Sequence, residues 1–158
     1  MVFILCFTNL ETAMLGTVHH VAYVVEDIDE GIEHIESTYD LELERKNSDE
    51  HRQELGIDAA LFFTGESVLE LISPAEDLGH GGWAADVLEE NGEGFFHLAY
   101  EVDDIEDAKQ RLEEKGIEFK EDEIGQGFIG QSGERTRLLT LKEEYTLLPT
   151  QIVEEKNK

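Results

Sequence analysis

The sequence predicts an α+β fold in which two pseudo-symmetric βαβββ modules form one curved mixed sheet around a cleft. Three observations carry that prediction. HVAYVVEDIDEGIEHIE (His20–Glu36) aligns without gaps on HLAYEVDDIEDAKQRLE (His97–Glu113), an offset of 77 residues that is too long for a solenoid repeat. Each copy passes from a strand-like run into an amphipathic, helix-like one. Each is followed by two apolar stretches joined by a turn, as a closing hairpin requires. The chain then divides into an N-terminal extension (1–15), a first module (16–77), a connector (78–92) and a second module (93–158).

The opening strands are His20–Val25 and Phe96–Val102. Glu26-Asp27 and Asp103-Asp104 follow them, acidic pairs suited to a helix N-terminus. The helices place Ile28, Ile32 and Ile35 on one face, and Ile105, Ala108 and Leu112 on the matching face. Gly116 stops the second helix, and short strands are expected at Leu41–Glu44 and Ile117–Lys120. Hairpins close the modules: ALFF turns at Thr64–Ser67 into VLELI, and TRLLTL turns at Lys142–Glu144 into YTLLPTQIV. Between the modules, a Gly-rich start and Asn91-Gly92 bracket a short helix at about Trp83–Glu90.

Charge narrows the function. With 38 acidic against 12 basic residues, net −26, the surface repels phosphate backbones and anionic lipid, which argues against nucleic-acid and membrane roles. The acids are spread along the chain, as expected of adaptation to a high-salt cytoplasm rather than of an acidic tail. Hydrophobic residues still make up 40%, enough for a packed interior. The single cysteine, Cys6, forms no internal disulfide and fits a reducing compartment. VFILCF is too short to span a bilayer and lacks the basic flank of a signal peptide, and Met14 is a possible second start.

Strand alternation decides which side chains meet. If Val21, Tyr23 and Val25 pack under the first helix, the other face carries His20, Ala22 and Val24. By the same parity Leu98, Tyr100 and Val102 face a helix, and His97, Ala99 and Glu101 face away. Glu70 in VLELI and Gln151 in PTQIV fall on that second face too, odd choices for buried strands unless something pairs with them. Singly, each of these residues has an ordinary explanation as a strand cap or a solvated edge. Together, two imidazoles, a carboxylate and an amide oxygen at symmetry-matched positions suit a divalent first-row metal: Co, Ni, Zn, Mn or Fe. The other histidines carry no such expectation. His19 has the wrong parity and gives way to Phe96 in the second copy, so it reads as a packed or half-exposed ring. His34 reads as helix surface, and His51 and His80 as loop residues.

HHVAYVVEDID, FHLAYEVDDIE, VLELISP and the connector WAADVLEENGEG resemble the vicinal-oxygen-chelate superfamily, which includes glyoxalase I, methylmalonyl-CoA epimerase, extradiol dioxygenases and bleomycin-resistance proteins. The likeness covers residues 16–156 and is strongest to the methylmalonyl-CoA epimerase branch. It implies that His20, Glu70, His97 and Gln151 are metal ligands, with Gln151 standing where relatives usually carry Glu. The implied reaction is metal-assisted 1,1-proton transfer α to the thioester of a 2-methyl-branched acyl-CoA, by a carboxylate base in a homodimeric enzyme.

The resemblance also exposes departures. Relatives place a catalytic Glu on the third strand of module one, where this chain has Ala59, with Asp58 one residue away and of opposite parity. Unless a bulge turns Asp58 inward, Glu70 must double as base, with Glu101 a further candidate. The Gly-rich loop Gly125–Gly133, with Gly127 and Gly130, and the cations Arg135 and Arg137 are candidates for binding substrate. A glyoxalase I-like lyase acting on a thiol adduct, and a non-catalytic small-molecule binding protein, remain as alternatives.

Overall fold

The computed structural model describes residues 13–79 and 82–157, so Cys6, the rest of 1–12, and His80 lie outside the described residues. Eight strands form one curled mixed sheet: β1 (Val18–Val24), β2 (Arg45–Lys46), β3 (Ile57–Thr64), β4 (Ser67–Pro74), β5 (Gly94–Glu101), β6 (Gly125–Ile129), β7 (Arg135–Thr140) and β8 (Thr150–Glu154). Their spatial order is β2-β3-β4-β1-β5-β8-β7-β6. The repeat governs this order. β1 runs parallel to β4 and β5 parallel to β8, while β1 and β5 pair antiparallel at the centre.

Helices α1 (Ile28–Tyr39) and α4 (Ile105–Glu113) start where the acidic pairs predict. The Asp27 carboxylate accepts the Asp29 and Glu30 N–H groups at 2.8 and 3.0 Å, and Asp104 accepts that of Asp107 at 2.8 Å. Such caps satisfy otherwise orphaned helix donors and are each worth about 1 kcal/mol. Ile32 and Ile35 pack on Ala60, Phe62 and Leu71. Ile105, Ala108 and Leu112 pack on Val102, Leu139 and Ile152. Met14, assigned to the extension, also packs against this second cluster.

The connector helix α3 (Gly82–Asn91) covers Ala22, Val24, Ile57 and Ile72, with Trp83 stacked on Phe96 at 4.9 Å between centroids. It therefore fills one end of the concave face. At the other end the two edges of the sheet approach each other. Arg45 on β2 donates to the Ile129 carbonyl on β6 at 3.1 Å, and Leu61, Val68 and Phe128 pack beneath that bridge.

Several elements differ from expectation. Leu41–Glu44 is not a strand: the Glu36 carboxylate takes the Leu43 N–H at 3.1 Å, and the ladder begins only at Arg45. Ile117–Lys120 makes a single bridge, Phe119 to Leu141, because Ile117 N–H returns to the Leu112 carbonyl at the end of α4. The outer strand of that half is instead Gly125–Ile129, expected as loop; a Cβ at Gly127 would collide with Thr136 and Leu138, so glycine permits the close approach. The last hairpin is wider than expected, since β8 starts only after Pro149, which has no N–H for a ladder. His51, read as a loop residue, lies on helix α2 (Asp49–Leu55), capped by Ser48 and closed by Gly56 at φ 70°. Tyr23, expected under α1, is 37% exposed beyond a register shift in the β1–β5 pairing. Among the described residues no helix is long and apolar enough to cross a membrane.

Candidate metal and active site

The register of the sheet assembles the site in two adjacent rows. Glu70, Ala22 and His97 pair across β4, β1 and β5. His20, Ala99 and Gln151 pair across β1, β5 and β8. Each row thus sets two functional side chains on either side of a fully buried alanine, and neighbouring strands lie only about 4.8 Å apart. A larger residue at Ala22 or Ala99 would occupy the space the flanking groups point across.

His20, Glu70 and His97 are all buried, and each offers a ligand atom within 4.8 Å of the others. The Nε2 atoms of His20 and His97 are 2.8 Å apart, and Glu70 Oε2 lies 3.7 Å from His20 Nε2. Burial moves all three groups toward neutrality. It raises the Glu70 carboxyl to about 8 and lowers His97 to about 4, Lys120 adding to the latter. Burial, then His97 and His19, hold His20 well below the usual imidazole range.

The residues fit a divalent ion. Gln151 Nε2 donates to Thr140 Oγ1 at 3.3 Å, leaving its Oε1 buried and without a hydrogen-bond partner. His97 Nδ1 is likewise buried and unpartnered. Two imidazole nitrogens at about 2.1 Å from one ion would stand about 3.0 to 3.4 Å apart, so the observed pair at 2.8 Å would have to open by about half an ångström. Nitrogen and oxygen donors in this mixture suit Zn, Co, Ni, Mn or Fe.

The remaining candidates fall elsewhere. Glu101 is four residues along β5 from His97, roughly 13 Å at strand spacing, and accepts from Thr17 Oγ1 at 3.3 Å. Ala59 faces the concave side without a polar group, and Asp58 is held outside it by a bidentate Arg52 at 2.6 and 3.2 Å. Arg137 binds Glu106 and Glu154 at the start of α4. Arg135 lines a small cavity of about 30 Å³ with Arg45, Lys46, His51, Ala59 and Phe128. Two N–H groups of the glycine loop are spent within it: Gly130 donates to the Glu134 carbonyl and Gly133 to that of Gly130.

Three engaged residues escaped the sequence reasoning. His19 is wholly buried; its Nδ1 sits 2.8 Å from His20 Nδ1 and its Nε2 sits 2.9 Å from Glu155 Oε2. Glu155 also accepts the Ser132 N–H at 2.6 Å. Burial alone would raise the Glu155 carboxyl, but these two hydrogen bonds hold it below the usual range. His51, on α2, is buried in the wall of the small cavity beside Ala59. Its signal was the Ser48 and Gly56 caps that bound a helix around it.

Similarity to known proteins agrees with this geometry. The ethylmalonyl-CoA/methylmalonyl-CoA epimerase of Cereibacter sphaeroides is 31% identical over 104 residues, 65% of this chain and 73% of that protein. Methylmalonyl-CoA epimerase from Mycobacterium tuberculosis has the same fold, with TM-score 0.75 and 21% identity over 93% of each chain. A methylmalonyl-CoA epimerase in complex with methylmalonyl-CoA and NH4+ superposes with TM-score 0.75 at 24% identity, covering 90% of this chain and 96% of the other. Residues 19–132, from within β1 to the turn after β6, match one family as a unit, and the chain belongs to the Glyoxalase/Bleomycin resistance protein/Dioxygenase superfamily.

Proposed function

We propose that this protein is a metal-dependent epimerase of a 2-methyl-branched acyl-CoA, with methylmalonyl-CoA the leading substrate. The observation that carries the proposal is the buried cluster of His20, Glu70 and His97, with the unpartnered Gln151 Oε1 on the same face. Those four residues would hold a divalent ion, which when bound supplies Lewis-acid polarisation of the thioester carbonyl, worth several kcal/mol of transition-state stabilisation.

The chain's own side chains do the rest. Glu70 is the carboxylate that the register brings into the cluster, and it accepts the α-proton in its ionised form, which a bound cation would favour over the neutral form that burial favours without one. Inversion needs a proton returned on the opposite face. Asp58 is committed to Arg52, and His51 in the cavity wall supplies a ring nitrogen on the side where β3 has only Ala59; it returns the proton as the imidazolium, a form that burial and Arg135 disfavour in the absence of substrate. Leu61, Val68 and Phe128 keep water from the reacting carbon. Arg45, Lys46 and Arg135, three of only 12 cationic residues in the chain, line the small cavity beside Ala59 and suit an anionic acyl or phosphate group. At about 30 Å³ that cavity holds little more than one water, so an acyl-CoA enters only as Phe128 and the β6 edge give way. The working form is a homodimer in a high-salt cytoplasm, consistent with the net charge of −26 and with Tyr23 and Phe95 paired and exposed on the outer face.

The test is elemental analysis of protein purified in high salt, followed by turnover assays on methylmalonyl-CoA and on a methylglyoxal–thiol adduct. Stoichiometric metal with turnover of the acyl-CoA is expected. Turnover of the adduct alone contradicts the epimerase, and absence of both metal and turnover overturns the whole reading.

A further inference from the structure

We infer that Glu155 and His19 are positioning residues that set the tautomer of His20, and through it the affinity of the site for a divalent metal. The inference rests on the metal site proposed above, and its argument is a chain of hydrogen bonds in which, with the wholly buried His19 taken as the neutral ring that burial favours, each proton has one available place.

The Glu155 carboxylate only accepts, so the 2.9 Å contact requires a proton on His19 Nε2. A neutral His19 protonated there has a bare Nδ1. That atom is 2.8 Å from His20 Nδ1, so His20 must carry its proton on Nδ1 and donate. The His20 Nε2 lone pair is then left facing His97 Nε2 and Glu70 Oε2, the atoms of the cluster. With the opposite tautomer, His19 Nδ1 and His20 Nδ1 would be two lone pairs in contact, and His20 Nε2 would be blocked by its own hydrogen.

The far end of the chain is built to stay in place. The other Glu155 oxygen is held by the Ser132 N–H, and Gly130 lies so close to the carboxylate that a Cβ there would overlap it. Both His19 and Glu155 are buried, and Phe128 stacks on His19 at 5.7 Å between centroids. The relay belongs to one half of the molecule only, because the repeat puts Phe96 where the first copy has His19. His97 has no equivalent support, and its Nδ1 is unpartnered.

The experiment reads the ¹⁵N shifts of the histidine rings in metal-free protein and measures Co²⁺ affinity by chelator competition. Wild type, Glu155→Ala, His19→Phe and the isosteric Glu155→Gln are compared. Wild-type His20 is expected to carry its proton on Nδ1. In Glu155→Ala and His19→Phe an Nε2–H population appears and Co²⁺ affinity falls about 10- to 100-fold, the usual loss for such outer partners. Glu155→Gln falls between, since one amide oxygen cannot serve both His19 and Ser132; it also keeps the test alive if the other variants fail to fold. A wild-type His20 protonated on Nε2, or variants within about threefold of wild type in affinity, would overturn the inference. The tautomer readout needs no substrate. A moved tautomer without turnover of methylmalonyl-CoA supports this inference and contradicts the epimerase, whereas turnover with an unmoved tautomer does the reverse.

Discussion

His20 Nε2 and His97 Nε2 face each other at 2.8 Å across the central β1–β5 pair, two residues related by the internal repeat and brought together by the antiparallel register. Either ring alone would be an ordinary buried histidine within a strand. Opposed, with Glu70 at 3.7 Å, they form a donor set whose members burial keeps neutral or nearly so.

Removal of one ring therefore removes the site. His97→Ala is expected to lose stoichiometric metal by elemental analysis, while His34→Ala, on the exposed face of α1, keeps it. Equal metal contents in the two variants would contradict the assignment.

The metal-free protein should have a stability maximum near pH 6.5. The folded His97 titrates at about 4 against 6.5 when unfolded, and His20 shifts in the same direction. The unfolded chain thus binds more protons over that range, and stability rises with pH up to 6.5. Glu70 acts oppositely: folded at about 8 against 4.5 unfolded, it makes the folded state bind the extra proton, so stability falls as pH rises toward 8. Above 6.5 only the Glu70 effect remains, worth about 2 kcal/mol by pH 8. Denaturant unfolding at several pH values measures this, and Glu70→Gln should abolish the decline. A decline unchanged in that variant would assign it to other groups.

Two arginines separate by partner. Arg135 lines the cavity and Arg137 is engaged by Glu106 and Glu154. Arg135→Ala is expected to raise KM by roughly tenfold, equivalent to 1.4 kcal/mol of lost binding, with kcat little changed. Arg137→Ala should leave KM alone and lower thermal stability. The reversed pattern would move the anionic end of the substrate to the α4 side.

Gly130 tests how tightly Glu155 is seated. Gly130→Ala places a methyl against the carboxylate and should cost about 1–3 kcal/mol in thermal or denaturant unfolding, as overpacking does. A neutral effect would mean that Glu155 can move aside without loss.

Much of this was legible in the sequence, because the decisive information was periodic. The repeat identified which histidine recurs, alternation put Glu70 and Gln151 on the same face, and both caps and apolar faces of α1 and α4 followed from local chemistry. What escaped depended on distant partners. His19 looked like packing because its partner, Glu155, lies 136 residues away, just past the end of β8. α2 has too few apolar residues for helical periodicity and is marked only by its caps. β6 reads as loop because its glycines are there for close approach to β7, a tertiary requirement with no local strand signal.

The most direct measurement is α-proton exchange of methylmalonyl-CoA in D₂O, followed by mass spectrometry for protein with metal and for the same protein after chelation. The account predicts deuterium at the α-carbon with the metal-loaded protein, loss of exchange on chelation, and recovery when the metal is restored. Exchange that persists undiminished in the chelated protein, or none in the loaded one, would contradict it.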